Sequence, residues 1–309
     1  MKRRKLVGVV TGMILLSLGA LSCKSEELRV YKHPDWDAAE YFDYSAEVYE
    51  YKLKKKDGEV SAPQTRTVQF MGKTYDATYS ETYTKEFFPY ADDYYESGDF
   101  EFSFVEHTDK LSGVTCFGDA VIAVDGVEQQ PETEADYRAV ADRIAGEYIV
   151  VEDFEVKCTS AVNLFQLVNG VASGGSESFG YFYEAKEDTR EVKYTFTYSG
   201  KFQGYDTCEN VIVTLDRAGN LCGLQLNAVG LFADKTEKVA KPEEITALVK
   251  KTMESACLES YAVNEVSCDI TLGVNGEGEY LYLVIAEAEM EKQGVANSGT
   301  TIDIFVIEG

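Results

Sequence analysis

The sequence predicts an α+β protein of two related units, each an antiparallel sheet with one packed helix, behind an N-terminal signal peptide and tether. Three observations predict it. A strand–turn–strand pattern at 100–114 returns at 210–224, a Pro-Glu pair opens an amphipathic helix after each copy, and alternating, aromatic-rich runs fill most of the rest. The predicted divisions are 1–22 signal peptide, 23–46 tether, 47–150 first unit and 151–309 second unit.

The leader comes first. Lys2, Arg3, Arg4 and Lys5 precede an apolar stretch from Leu6 to Leu21. That stretch is short of the ~20 residues that a spanning helix needs, and the pattern is that of a secretory signal. Ala20-Leu21-Ser22-Cys23 follows. Ser22 and Cys23 resemble a bacterial lipobox, whereas Ala20 stands where that motif usually carries leucine. An ordinary signal-peptidase site would cut the same bond. The resemblance implies a diacylglycerol on Cys23 and an extracytoplasmic, membrane-anchored lipoprotein; the ordinary site implies a secreted one.

Composition narrows the function. The chain carries 54 acidic and 29 basic residues, a formal −25, with 45% apolar and 12% aromatic residues. Removing residues 1–22 takes away four basic side chains and leaves −29. Such a surface is soluble, repels anionic lipid and excludes the usual nucleic-acid binder, which needs a basic face. Partners are therefore expected to be the membrane, through Cys23, and a peptide, glycan or protein ligand.

The strands follow in order. Glu47–Lys54 alternates; Thr65–Met71 and Thr74–Tyr83 flank Gly72-Lys73 as a hairpin; residues 84–98, marked by Pro89 and Gly98, read as a loop; Phe100–Val105 alternates cleanly. The first helix is expected over Glu132–Tyr148, with Tyr137, Val140, Ile144 and Tyr148 on one face, Pro131 ahead and Thr133 as cap. Further strands are expected at Val150–Cys158, Tyr194–Tyr198, Val211–Leu215, Leu221–Leu226, Val266–Leu272, Tyr280–Ala286 and Thr301–Ile307. The second helix is expected over Glu243–Cys257, after Pro242.

The repeat aligns Glu106 with Asp216, Leu111 with Leu221 and Gly113 with Gly223 at an offset of 110, with Asp109 where the second copy has Gly219. This strand–turn–strand pair, its Asp216-to-Leu221 turn and the Pro-Glu-led helix resemble the PepSY-like and YcdB-type repeat modules of bacterial secreted and surface proteins. The resemblance covers about 100–160 and 205–309. It implies a non-enzymatic module with no catalytic residues to carry over; related modules in protease propeptides inhibit or chaperone their enzymes.

Chemistry is sparse. Gly174-Gly175-Ser176-Glu177-Ser178 departs from a nucleophile elbow at its last position, and no phosphate loop, zinc-protease helix or cofactor motif occurs. His33 and His107 are the chain's two histidines. Asp92, Asp93, Glu96 and Asp99 cluster as oxygen ligands would, but no metal site is predicted in so acidic a chain. Cys116, Cys158, Cys208, Cys222, Cys257 and Cys268 allow up to three disulfides or buried thiols. Tyr75, Tyr79 and Tyr83 share a parity, and on a regular strand would present one aromatic face to a ligand or to a core. The expected function is thus a non-enzymatic, lipid-anchored surface binder. The alternatives are an extracytoplasmic hydrolase with paired carboxylates in a cleft, and an envelope structural or assembly factor.

Overall fold

The computed structural model describes residues 28–32, 53–56, 62–85, 88–127, 130–168, 171–186, 189–256, 261–292 and 298–309. The signal peptide, Cys23 and most of the expected tether lie outside these residues. The first strands are β1 (Arg29–Lys32), β2 (Leu53–Lys55), β3 (Thr65–Phe70), β4 (Lys73–Lys85), β5 (Ala91–Ser97), β6 (Phe100–Val105) and β7 (Leu111–Cys116). After helix α1 (Glu134–Ala145) come β8 (Glu155–Val168), β9 (Val171–Phe179), β10 (Thr189–Phe202), β11 (Tyr205–Asp216) and β12 (Leu221–Asn227). Helix α2 (Pro242–Ala256) leads into β13 (Tyr261–Val274), β14 (Tyr280–Lys292) and β15 (Ser298–Glu308).

All fifteen described strands join one sheet. Its path runs β1-β15-β14-β13-β11-β12-β7-β6-β5-β4-β2, with β3 also on β4, and β10, β8 and β9 branching from β11. Every ladder is antiparallel except a short parallel contact of β11 with β13 at Asp206–Thr271 and Thr207–Leu272. The expected α+β pair of units, each with its own sheet and helix, is therefore overturned: this is a mostly antiparallel sheet with two helices laid on it. The physical reason is the seam. An open strand edge is a liability, and here the edges of β7 and β12 pair with each other at Thr115–Gly223, Val114–Leu224 and Gly113–Gln225. That pairing welds together the strands that the repeat had suggested keeping apart.

The seam has a local two-fold symmetry. Val114 and Leu224 are 110 residues apart, and the flanking pairs exchange the same offset, so each hairpin sees the other as the other sees it. Both hairpins also bulge at the same place. Ladder register shifts between Ser103 and Phe104 in one and between Thr214 and Leu215 in the other, leaving Ser112 and Cys222 as the extra residues. Phe104 pairs with Leu111 as Leu215 pairs with Leu221. The strands before the turns thus match at an offset of 111 and those after at 110, so Val105, not Glu106, corresponds to Asp216. The extra residue sits in the first turn.

Local chemistry explains the elements. The β3–β4 turn is Met71-Gly72, with φ of 47° and 71°, because a twist-matched two-residue hairpin needs left-handed backbone at both positions. Lys73 already pairs with Phe70, one residue earlier than the sequence suggests. Helix α1 opens on a capping box: Thr133 accepts from the Asp136 N–H, and Asp136 accepts from the Thr133 N–H at 2.9 Å. It buries Tyr137, Val140, Ala141, Ile144 and Ala145. Those side chains join one apolar core with Val68, Phe102, Val114, Phe196, Val213 and Leu224 of the sheet. A second core lies under α2, where Ile245, Val249 and Met253 meet Leu272, Val284 and Phe305. Residues 91–97, expected as loop, form β5; its acidic residues hid a strand from a reading based on apolar alternation.

Candidate functional site

The three candidate tyrosines all fall on β4, but not on one face. Register shifts between Tyr79, which pairs with Tyr95, and Thr82, which pairs with Asp93. This irregularity reverses the parity beyond it. Tyr75 packs on Phe100 and Phe102, with ring centroids 5.3 and 4.9 Å away, and Tyr79 packs edge-on to Tyr95 at 5.8 Å. Tyr83 turns to the opposite side and meets Tyr94 at 5.3 Å. Tyr75 and Tyr79 pack against the first core.

The acidic cluster is likewise divided. Asp92 and Asp93 are consecutive in β5 and so face opposite sides of the sheet. Glu96 lies across the ladder from Glu101. Among the described residues no group of three or more His, Cys, Asp or Glu side chains is placed to hold a metal ion.

What the fold does assemble is a cleft of about 370 Å³ at the first hairpin turn, lined by Ala62, Pro63, Arg66, Asp93, His107, Thr108 and Asp109. Arg66 comes from β3 and Asp93 from β5, with β4 between them. Arg66 has the parity of the buried Val68 and Phe70, so its side chain runs inward. Its guanidinium lies over the Phe104 ring at 4.1 Å and near the Tyr95 ring at 5.2 Å. Nη2 donates to the Thr108 carbonyl and to Asp109 Oδ1, both at 2.9 Å. Nη1 is buried with no hydrogen-bond partner.

Asp93 is 4% exposed. Its Oδ1 accepts from the Thr82 hydroxyl at 2.6 Å, and Thr82 is in turn 2.9 Å from the Tyr79 hydroxyl. With the Thr82 proton committed to Asp93, the phenol is the donor in that second bond. Beside them the Tyr95 hydroxyl is buried and without a partner. Burial pushes that phenol up from the ordinary tyrosine range, and Arg66 pulls it partly back. Arg66 and Asp93 share the cleft, yet Arg66 is ion-paired with Asp109 rather than with Asp93.

The turn itself is unusual. His107 adopts φ 63°, a left-handed backbone on a residue other than glycine, and stands largely exposed 3.4 Å from Glu106. Lys56 clamps the Glu106 carboxylate at 2.5 and 2.8 Å. His33 and Cys257 lie outside the described residues. The other five cysteines beyond Cys23 are free thiols. Burial pushes Cys116, Cys158 and Cys222 up to about 11, the direction that makes a thiol inert. Gly174–Ser178 lies within β9, on a strand and not at a strand-to-helix elbow. Among the described residues no helix is long and apolar enough to cross a membrane.

Sequence reasoning passed over Arg66 and missed the separate place of Asp93. The available signal was parity: each is a charged residue at an inward position of an otherwise apolar strand face.

No family model matches the chain, and no curated protein matches it. Among solved structures the chain is similar to the crystal structure of an uncharacterized protein from Eubacterium rectale, at 11% identity over 91% of this chain and 82% of that one, with a TM-score of 0.29.

Proposed function

We propose that this chain is an exported, lipid-anchored surface protein that binds a peptide, glycan or protein partner without catalysing a reaction, with the cleft at the first turn as its ligand seat. The observation that carries the reading is the cleft's inventory: the inward-running Arg66 with a spare buried N–H, and Asp93 held by a single hydroxyl, lining one cleft from either side of β4. Native structures rarely leave buried polar groups unsatisfied, so the unpartnered Arg66 Nη1 in this cleft calls for a partner. The leader, Cys23 and the resemblance to PepSY-like modules support export and a binding role.

Labelling with a radioactive fatty acid tests the anchor, with Cys23→Ala expected to lose the label. Probing glycan and peptide arrays with the chain tests the seat. Binding that disappears in Asp93→Asn supports the reading, and silence on both arrays overturns it. One observation favours a second reading, hydrolysis: Asp93 and Asp109 line the same cleft. That reading requires turnover of a bound glycan or peptide, abolished by Asp93→Asn and by Asp109→Asn alike.

A further inference from the structure

We propose that the cleft takes a small zwitterion, a molecule of amino-acid or dipeptide size whose ammonium group sits on Asp93 and whose carboxylate sits on Arg66. The inference rests on the cleft being the ligand seat and adds the chemistry of what fills it.

The carboxylate end is argued from Arg66. Its guanidinium is a flat fork with one prong in use, and the aromatic rings of Phe104 and Tyr95 fix its plane. The prong in use already shows how a carboxylate approaches, because Asp109 Oδ1 sits 2.9 Å from Nη2. The Asp109 side chain is 100% exposed, so it is a surface partner held by little and readily displaced. The second prong, Nη1, is buried and unpartnered, so a carboxylate that displaces Asp109 has to draw Nη1 out of its covered position, and by taking both prongs it then satisfies a group that Asp109 leaves unsatisfied.

The ammonium end is argued from Asp93. Thr82 bonds one of its oxygens at 2.6 Å. The other carboxylate oxygen is left for a donor, and an ammonium supplies up to three N–H groups. The Thr82–Tyr79 chain behind it holds the carboxylate in one orientation.

The two ends together select the class. A simple anion would meet a chain of formal charge −25 with one cation to receive it, and would leave Asp93 unused. A simple cation would leave the Arg66 fork half empty. A neutral sugar would want an open aromatic face, and the rings nearest the cleft are covered by the guanidinium. A molecule carrying both charges is neutral overall and meets each group with its complement. The cleft volume of about 370 Å³ admits such a ligand.

The test is titration calorimetry on the full chain in detergent, with L-alanyl-L-alanine, its N-acetyl form, its C-terminal amide and neutral monosaccharides. The free dipeptide is expected to bind saturably, and blocking either end is expected to cost about tenfold or more in affinity. The variants sharpen this. In Asp93→Asn, the N-acetyl and free-amine forms should bind equally; in Arg66→Gln, the amide and free-acid forms should. Asp109→Ala, which frees the Arg66 fork, should bind the dipeptide more tightly than the native chain, and weaker binding would overturn the displacement of Asp109 by the ligand carboxylate. Each variant should keep the discrimination it was not built to lose: Asp93→Asn should still prefer the free acid to the amide, and Arg66→Gln the free amine to the N-acetyl form, whereas a general loss of folding would abolish both preferences. Saturable sugar binding that is lost in Asp93→Asn, with none of the dipeptide, would overturn the zwitterion while leaving the cleft as the seat. No binding of any probe would overturn the zwitterion, and silence on the arrays as well would remove the seat with it.

Discussion

The hairpins β6–β7 and β11–β12 share a register, a bulge position and a symmetric seam, and they differ almost entirely at their turns. In the second turn Asp216 Oδ1 accepts from the Ala218 and Asn220 N–H groups, both at 2.8 Å, so its own side chain organises the loop. Gly219 at φ 82° closes it, with so little room that a Cβ there would lie 2.9 Å from Pro131 Cγ. Tyr137 of α1 donates to the Arg217 carbonyl at 2.7 Å and pins the turn to the helix. The first turn is one residue longer, carries its left-handed backbone on His107, and opens onto the cleft. One hairpin design has thus been closed under a helix for stability at one end of the seam and left open beside a charged pocket at the other. The difference teaches that a turn stays open to solvent when no helix covers it.

The largest test of this contrast uses the equivalent leucines. Leu221 is 0% exposed, whereas Leu111 is only partly buried. In denaturant titrations Leu221→Ala should cost about 2–5 kcal/mol and Leu111→Ala less than half of that. Equal costs would break the comparison. Next come the turns. Gly219→Ala should cost about 1–3 kcal/mol through strained backbone and the Pro131 contact, read as a fall in Tm. His107→Gly should be neutral or stabilising by about 0.5 kcal/mol, since glycine adopts that backbone freely.

An effect of comparable, small size lies beside the cleft strands. Glu101 faces Glu96 directly across the β5–β6 ladder. Burial first, and Glu96 second, push the Glu101 carboxyl above the ordinary glutamate range. A carboxyl raised in this way holds its proton better folded than unfolded. Stability is therefore lost as pH climbs from the ordinary glutamate value through the raised one, and is regained on acidification. Glu101→Gln should gain about 0.2–1 kcal/mol at neutral pH, and the gain should vanish as both proteins are taken to acid. A gain independent of pH would remove the charge explanation.

Helix positions were legible because they rest on local rules. The spacing of Tyr137, Val140 and Ile144 and the Thr133 cap sit within a dozen residues of one another, and α1 forms where they predict, trimmed at both ends to Glu134–Ala145. The hairpin of β3 and β4 was legible for the same reason, to within one residue of its turn. Strand β5 was not, since Asp92 and Asp93 are buried by neighbours that strand order supplies and local sequence does not. The merging of two expected sheets into one was invisible as well, because the pairing of Val114 with Leu224 joins residues far apart in the chain. The irregularity between Tyr79 and Thr82 undid the tyrosine face, and no residue type announces it. Arg66 and Asp93 meet only once β3, β4 and β5 are laid side by side.

The seam also sets a timetable. Strand β7 lies against β6 on one side and β12 on the other, and β12 is made about a hundred residues later. At synthesis rates of about 5–20 residues per second, the outer edge of β7 waits roughly 5–20 s for its mate. During that interval a nascent chain carries a bare hydrogen-bonding edge that another nascent chain could capture, and the exposure ends only when residue 227 has emerged and β12 can pair.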